Sequence, residues 1–331
     1  VERTAVERSV LALLDGEGSR LLLEEHDPDG ASRYLLREGP DGPLRDISVT
    51  RRPDLAALGL RRARLRYTRA DGIPLSASVY LPATHADGET LPLILWVYPR
   101  TFGDRASAVA SLRTASDTTG VVRAMPLFLA LCGYAVMDEV SMPIIESSSE
   151  DFAAQLVASA AAAIDEAVDA GLADRRRVGV AGHSFGAFST VMLLTHSDLF
   201  AAGAALSGAY NRTLTPFGFQ TERRTLWEAP EHYLAMSPYL QADRIDAPLL
   251  LVHGERDDNA GTAPIQSRLL FEAVRRGGGT ARLVMLPFEG HVYRARESVL
   301  HTAAEMLDWF DRHLKPIASP LPMAAVRASS G

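Results

Sequence analysis

The spacing of hydrophobic residues changes near residue 92, where short strand patterns give way to alternating strands and helices. Leu60–Arg69 and Leu75–Leu81 flank the turn Asp71-Gly72 and predict an antiparallel hairpin that begins a sheet. Three short β-rich runs separated by turn residues precede this hairpin: Ser19–His26, Ala31–Glu38 and Leu44–Thr50. Because three short strands without a helix do not form a stable domain, residues 1–55 are predicted to be a fragment of a blade-like sheet that needs neighbours.

Beyond residue 92, continuous apolar strands alternate with helical patterns. The predicted strands are Leu93–Tyr98, Tyr134–Val140, Arg177–Ala181, Ala202–Leu206, Pro248–Val252 and Arg282–Leu286. Helices are predicted at Met125–Cys132, Phe152–Ala170 and Phe185–His196. A further helix is predicted after each of the last two strands, and the final helix carries a buried stripe that ends at Leu314. This alternation predicts a mostly parallel sheet with helices on both faces over residues 56–314. Residues 208–246 interrupt this alternation and are predicted to be an insertion over the functional site. Residues 315–331 are predicted to be a flexible tail.

Composition narrows the function classes. The chain has 331 residues, a formal net charge of −7 and a single cysteine, Cys132, so no disulfide can form within it. Without a basic stripe, nucleic acid is not an expected partner. No apolar run approaches the length of about 18 residues that a membrane span needs. We therefore expect a soluble, cytoplasmic protein.

The most informative motif is Gly182-His-Ser184-Phe-Gly186. It has the form G-x-S-x-G, which is weak evidence alone but stronger between a strand and a helix. Here the apolar strand Val178–Ala181 precedes it and an apolar helix follows at once. This context predicts a sharp turn that holds Ser184 at the carboxyl edge of the sheet as a nucleophile, and a plain strand-to-helix turn is the simpler alternative.

A serine nucleophile requires a base and an acid that orients the base. Asp257 and His291 each follow a predicted strand, so they are expected on the same rim of the sheet as Ser184. The order Ser, Asp, His is that of α/β-hydrolases. Asp258 is the rival of Asp257 for the acid.

Acyl transfer also requires donors to the oxyanion. The N–H of Phe185, directly after the nucleophile, is one candidate. The second is expected from the loop that begins at Tyr98; since this loop lacks a Gly-Gly pair, we predict the Tyr98 side chain, which could instead be an aromatic cap on the strand.

Several motifs carry a family resemblance. Gly182-His-Ser-Phe-Gly-Ala187, the run from Leu249 to Asn259 and Ser237-Pro resemble the catalytic domain of the prolyl oligopeptidase family. The run Ser207-Gly-Ala-Tyr-Asn-Arg-Thr-Leu-Thr-Pro-Phe-Gly-Phe-Gln220 resembles its glutamyl endopeptidase-like branch, as do Arg224–Ala229 and Arg294–Ser298. The resemblance covers residues 60 to 314.

This resemblance implies an α/β-hydrolase domain preceded by part of a β-propeller blade. It also implies that Ser184 is the nucleophile, Asp257 the acid and His291 the base, and that the Tyr98 hydroxyl lines the oxyanion hole. The family carries a complete N-terminal propeller. Partners to expect are therefore an upstream propeller segment or chain, or a second copy of this chain.

The same branch implies an acidic residue at P1, the substrate residue before the cleaved bond. Leu206 and Thr101–Gly103 replace charged residues typical of the branch, so Arg100 and Arg212 are the candidates to bind a P1 carboxylate. An ion pair that holds the insertion is an equal alternative for Arg212. The aromatic residues of the insertion are predicted to form the pocket walls, with packing onto the sheet as the alternative: Tyr210, Phe217, Phe219 and Trp227.

The prediction is a serine peptidase that acts on peptides through an acyl-enzyme, without a cofactor or metal. One alternative is an esterase or a transacylase of a biosynthetic pathway, which would use the same triad on a small acyl substrate. A non-catalytic binding module with the same fold is the second alternative.

Overall fold

The computed structural model describes residues 7–26, 32–39, 42–50, 55, 57–86, 88–111, 121–145, 149–220 and 222–315. The chain divides into two compact units, residues 1–58 and 59–331. This division lies close to the predicted boundary at residue 55. Of the predicted C-terminal tail, only Lys315 lies within the described residues.

The first unit is a four-stranded antiparallel sheet in which sequence neighbours pair. Its strands are β1 (Glu7–Leu13), β2 (Arg20–His26), β3 (Ser32–Glu38) and β4 (Leu44–Thr50). Leu21, Leu23 and Leu35 form a small buried cluster. Four such strands are the unit of a propeller blade. The sequence analysis missed β1, whose charged start hides the alternation of strand residues.

The second unit is built on an eight-stranded sheet. Its strands are β5 (Leu60–Thr68), β6 (Pro74–Pro82), β7 (Leu91–Trp96), β9 (Ala135–Asp138), β11 (Ala173–His183), β12 (Ala202–Leu206), β13 (Leu249–Gly254) and β14 (Ala281–Leu286). The order is β14-β13-β12-β11-β7-β9-β6-β5. The hairpin β5–β6 is antiparallel and β6 joins β9 antiparallel; the other neighbours are parallel. The predicted mostly parallel sheet is therefore confirmed.

Seven α-helices are described in this unit. They are α1 (Arg105–Ser111), α2 (Val121–Leu131), α3 (Ser149–Asp169), α4 (Phe185–His196), α5 (Pro230–Ala235), α6 (Ile265–Arg276) and α7 (Arg296–Leu314). Within β11, Val178 and Val180 belong to the core shared with α3 and α4, whereas Gly179 faces Phe310 and Leu314 of α7. Helices therefore cover both faces of the sheet, as predicted. No helix among the described residues is long and apolar enough to cross a bilayer.

The insertion predicted at residues 208–246 contains α5 and two short 3-10 helices, Arg212–Leu214 and Pro238–Arg244. Two short strands that the sequence analysis missed, β8 (Arg100–Phe102) and β10 (Pro143–Ile145), pair in parallel outside the main sheet. Three-residue strands are too short to show a period of two. The candidate site lies where the insertion, β8–β10 and the carboxyl ends of β7, β11, β13 and β14 supply residues.

Candidate active site

Ser184 sits in a strained turn between β11 and α4. Its backbone angles are φ 58° and ψ −116°, outside the regions that residues with a side chain favour. A Cβ added to Gly182 would lie 2.5 Å from the carbonyl carbon of Gly186, and one added to Gly186 would lie 2.2 Å from the carbonyl oxygen of Val97. Both glycines are therefore required for the turn to close, and strain of this kind is typical of functional sites.

Ser184, His291 and Asp257 form a continuous hydrogen-bonded line. The Nε2 atom of His291 lies 2.9 Å from the Ser184 Oγ atom, and its Nδ1 atom lies 2.9 Å from Oδ2 of Asp257. These are the distances that transfer of a proton from serine to histidine requires. The three residues come from the loops after β11, β13 and β14, whose parallel carboxyl ends lie at one edge of the sheet.

The Asp257 carboxylate is buried and receives several further hydrogen bonds. Its side chain is 0% exposed, whereas Asp258 is exposed. Burial by itself raises the pKa of Asp257, but the hydrogen bonds from His253, His291 and the Asn259 N–H outweigh it and hold the pKa well below its usual range. The Thr262 hydroxyl adds contacts of 3.2 and 3.0 Å to the two carboxylate oxygens. Asp257 is therefore ionised at neutral pH.

His183, the residue before the serine, contacts the candidate base. Its Nε2 atom donates to the His291 carbonyl oxygen at 2.7 Å, and the two rings lie 4.8 Å apart. Burial lowers the pKa of His183 to about 4, so the ring is neutral at pH 7. His183 thus fixes the backbone of His291 without adding a charge beside it.

Two candidate oxyanion donors flank Ser184. Phe185 is the first residue of α4, where backbone N–H groups have no partner within the helix. Tyr98 follows the end of β7, and its ring meets the Phe185 ring edge-on at 6.2 Å. Partial burial raises the pKa of Tyr98. Its hydroxyl therefore keeps its proton at neutral pH and can donate.

A cavity of about 750 Å³ begins at Phe185 and extends under the insertion. Both apolar and charged side chains line it. The apolar ones are Ile144, Ile145, Phe152, Phe185, Phe219 and Met236, and the charged or titratable ones are Arg212, Glu222, Arg224, Glu228, Glu231 and His232.

Arg212 is the buried cation of this cavity. Its guanidinium lies over the rings of Phe188 at 5.0 Å and Phe219 at 4.7 Å, and it donates to Gln220 Oε1 at 3.0 Å. Among the described residues, no carboxylate lies within ion-pair distance of it. Burial lowers the pKa of Arg212 to about 10, which leaves it charged at pH 7. A buried guanidinium without a carboxylate is a ready receptor for one.

Glu222, the glutamate nearest to Arg212 in the sequence, forms ion pairs with other residues. Glu222 pairs with Arg224 at 2.7 Å and with His232 at 3.1 Å, and these hydrogen bonds and charges lower the pKa of Glu222 to about 2. The ion pair that the sequence analysis considered for Arg212 is therefore not found among the described residues.

Four residues predicted to bind substrate lie elsewhere. Tyr210 is fully buried, packed in the core instead of on the cavity wall, because the insertion folds down onto α4 and α6 there. Phe217 and Trp227 are 77% and 69% exposed and contact each other. Arg100 is an exposed residue of β8 whose neighbour Thr101 lines the cavity instead. Of the residues predicted to bind substrate or form the pocket walls, Arg212 and Phe219 are among those that line the described cavity.

The sequence analysis missed further residues of the cavity and the partners of Asp257. Phe152 of α3 and Gln220 of the insertion both line the cavity, but no local signal marks them because these two segments come together only in the tertiary structure. His253 and Thr262 lie within four and five residues of Asp257 in the sequence, and this proximity was the available signal. Among the described residues, no group of three His, Cys, Asp or Glu side chains could hold a metal ion.

Comparison with known families identifies one match. The model of the prolyl oligopeptidase family, Peptidase_S9, matches residues 148–316. This segment contains Ser184, Asp257, His291 and Arg212.

Individual relatives agree with this match. The chain is 39% identical over 323 residues to the probable chloroplastic glutamyl endopeptidase of Arabidopsis thaliana, a match that covers 95% of this chain and 34% of that protein. It is 26% identical over 326 residues to the lasso peptide isopeptidase AtxE2 of Asticcacaulis excentricus, with coverages of 88% and 43%. The chain thus spans between a third and a half of these relatives.

Among solved structures, the acylaminoacyl peptidase of Pyrococcus horikoshii superimposes with a TM-score of 0.65. The sequence identity is 20%, and the match covers 96% of this chain and 51% of that one. At this identity the likeness establishes the fold, and the predicted α/β-hydrolase fold after a blade-like sheet is confirmed.

Proposed function

Because the chain belongs to the prolyl oligopeptidase family, we propose that it is a serine peptidase that cleaves peptides after glutamate or aspartate. One observation carries this proposal: the hydrogen-bonded line Ser184–His291–Asp257 stands beside a cavity whose buried cation, Arg212, has no carboxylate partner among the described residues. The line supplies the nucleophile and its base. The cavity supplies a charged receptor next to them.

The reaction begins with transfer of the Ser184 hydroxyl proton to Nε2 of His291 as Oγ attacks the substrate carbonyl carbon. The Phe185 N–H and the Tyr98 hydroxyl donate to the oxyanion that forms. His291 then gives its proton to the leaving amine as the C–N bond breaks, which leaves an ester between Ser184 and the acyl part of the substrate. Water, deprotonated by His291, attacks this ester, and the proton returns to Ser184 as the acid product leaves.

Asp257 stays ionised throughout. It accepts from Nδ1 of His291, and this hydrogen bond keeps Nε2 free to face Ser184. When His291 takes the proton, the carboxylate stabilises the resulting imidazolium. The pKa of Asp257, held well below its usual range, prevents the carboxylate from taking the proton itself.

Selectivity for an acidic P1 residue follows from the charge balance in the cavity. Taking a guanidinium out of water costs several kcal/mol unless a partner compensates. The rings of Phe188 and Phe219 and the Gln220 amide compensate in part. A P1 carboxylate completes the compensation, whereas a neutral glutamine side chain of equal size leaves the cation without a counter-charge.

The test compares matched peptides that differ only in Glu or Gln at P1, cleaved by the wild type and by Ser184→Ala. We expect kcat/KM for Glu to exceed that for Gln by about 10- to 100-fold, and cleavage to fall at least about 10⁴-fold in Ser184→Ala. Cleavage that survives in Ser184→Ala contradicts the mechanism. Equal rates for Glu and Gln contradict the P1 assignment alone.

The esterase and transacylase alternatives use the same triad. Turnover of matched ester substrates, and of peptides in the presence of added amine acceptors, separates them from hydrolysis of amides. Slow hydrolysis in water together with fast transfer of the acyl group to an added amine, with an amide as the product, would identify a transacylase and contradict the peptidase proposal.

A further inference from the structure

A second histidine, His253, contacts the carboxylate of the triad. It is the penultimate residue of β13 and its side chain is 0% exposed. Its Nε2 atom lies 3.1 Å from Oδ2 of Asp257 and 2.6 Å from the carbonyl oxygen of Thr262. Its Nδ1 atom lies 2.7 Å from the Ser267 Oγ atom. The mechanism above does not use this residue.

The partners of His253 assign its proton. Nε2 faces a carbonyl oxygen and a carboxylate oxygen, which can only accept, so Nε2 must carry the hydrogen. In a neutral ring Nδ1 is then an acceptor, and the hydroxyl of Ser267 is its donor. Ser267 lies at the start of α6 and is itself fully buried. Its hydroxyl therefore supplies the donor to Nδ1 in the tautomer that the Thr262 carbonyl oxygen and the Asp257 carboxylate impose.

The hydrogen bond from His253 reaches the same oxygen that His291 uses. Oδ2 of Asp257 contacts His291 at 2.9 Å, His253 at 3.1 Å and the Thr262 hydroxyl at 3.0 Å, while Oδ1 accepts from the Asn259 N–H at 3.0 Å. Without His253, the carboxylate would lose its one donor from the strand and could rotate within the loop. The orientation of Oδ2 toward His291 would then be less well defined.

We propose that His253 is a positioning residue for the reaction: it holds Asp257 in the rotamer that orients His291, and Ser267 donates to Nδ1 of the His253 tautomer that does so. This inference rests on the proposed function, because it concerns the acid of the same triad. The competing interpretation is a core histidine whose hydrogen bonds contribute to folding stability and not to catalysis.

Three substitutions separate these interpretations. In His253→Gln, the amide nitrogen can take the place of Nε2 and still donate to Asp257. In His253→Asn, the shorter side chain places its amide near Nδ1 and the donor to Asp257 is lost. Ser267→Ala keeps the ring but removes the hydrogen-bond partner of its Nδ1 atom. His196→Asn is the matched control, because His196 lies at the far end of α4, about 18 Å along the helix from Ser184.

For a peptide with Glu at P1, we expect kcat of His253→Asn to fall about 10- to 100-fold, the effect of one charge-assisted hydrogen bond, with KM changed less than about twofold. His253→Gln should regain most of this kcat, Ser267→Ala should show a smaller loss, and His196→Asn should match the wild type. Thermal unfolding of each variant is measured in parallel. Unchanged kcat in a folded His253→Asn overturns the proposal. The proposal is also overturned if kcat falls equally in the Gln and Asn variants and the fall parallels the loss in their melting temperatures.

A fluorophosphonate probe that labels Ser184 makes the test independent of the peptide substrate. If the wild type labels but does not cleave peptides after Glu, the proposed function fails, and slower labelling of His253→Asn than of His253→Gln still supports the role of His253. If both variants label as fast as the wild type, the role of His253 is contradicted while the peptidase proposal stands. A wild type that does not label at Ser184 contradicts both.

Discussion

At the scale of single residues, Arg212 is a charged side chain whose burial destabilises the fold. We therefore expect it to be used in binding. It is 7% exposed, and the described residues offer it two aromatic rings and one amide but no carboxylate. Burial lowers the pKa of Arg212 to about 10. The folded chain therefore holds the charged form less well than the unfolded chain does. This cost is fully present below pH 10 and disappears as the pH rises through the usual arginine range.

Arg212→Met should therefore separate stability from selectivity. Met fills a similar space between Phe188 and Phe219 without a charge, so we expect a melting temperature equal to that of the wild type or up to about 3 °C higher, while the preference for Glu over Gln at P1 disappears. Thermal unfolding and paired kcat/KM measurements check this, with Arg212→Lys as the variant that keeps the charge. A melting temperature more than about 5 °C lower would show that Arg212 is structural.

The same charges predict how selectivity depends on pH. Between pH 6 and 9 both the P1 carboxylate and Arg212 are charged, the latter because its pKa is about 10. The ratio of kcat/KM for Glu and Gln peptides should be constant there and should fall below about pH 5, as the substrate carboxyl is protonated. The triad affects both substrates equally and cancels in the ratio. Burial lowers the pKa of His232, which also lines the cavity, so a ratio that falls as the pH rises toward neutrality would instead show that His232 binds the carboxylate.

At the scale of elements, the turn from β11 to α4 depends on close approach of two backbones. The space beside Gly186 is closed by the Val97 carbonyl oxygen, which belongs to the segment that leads to Tyr98. The turn and the loop that carries Tyr98 are thus packed directly against each other. A side chain at this position would move both Ser184 and Tyr98.

Gly186→Ala should lower kcat/KM at least about 100-fold, because displacements of about 1 Å at a reacting group cost that much. Gly103→Ala is the control, since an added Cβ there meets nothing within 4 Å. Circular dichroism and peptide turnover are measured for both variants. Full activity in Gly186→Ala would mean that the turn adjusts without loss and that the tight contact has no catalytic consequence.

At the scale of the whole molecule, the two units differ in the cores that hold them. The buried cluster of the first unit consists of Leu21, Leu23 and Leu35, each between 4% and 7% exposed. The core of the second unit runs from Tyr67 to Val274 and includes four adjacent strands of the sheet, β7, β11, β12 and β13. Because buried apolar surface is the main source of stability, the first unit should open more easily.

Hydrogen exchange followed by mass spectrometry tests this difference. We expect amides of β2 and β3 to exchange at least about 100-fold faster than those of β11 and β12, even though all four are paired strands. The antiparallel edge strand β5 serves as an internal control for edge effects within the second unit. Equal protection of β2 and β11 would show that the first unit draws its stability from more than its own core.

The sequence by itself determined most strands and helices of the second unit and the three candidates for a catalytic triad. Apolar runs with the strand period and the helical period predicted the central sheet and its covering helices, and parallel strands place their carboxyl ends at one edge. That rule made Ser184, Asp257 and His291 candidates for one site although they are 73 and 34 residues apart. Their roles remain the proposal that the Ser184→Ala comparison tests.

Only the tertiary structure decided which neighbours surround those residues. It buries Asp257 and leaves Asp258 exposed, and it lines the cavity with Phe219 and Arg212 while Tyr210 enters the core and Trp227 faces outward. The physical reason is that side-chain directions repeat regularly along a helix or strand, so the period of apolar residues in the sequence shows which face is buried. Residues 208–246 have no period, and burial there depends on which distant segments pack against each side chain.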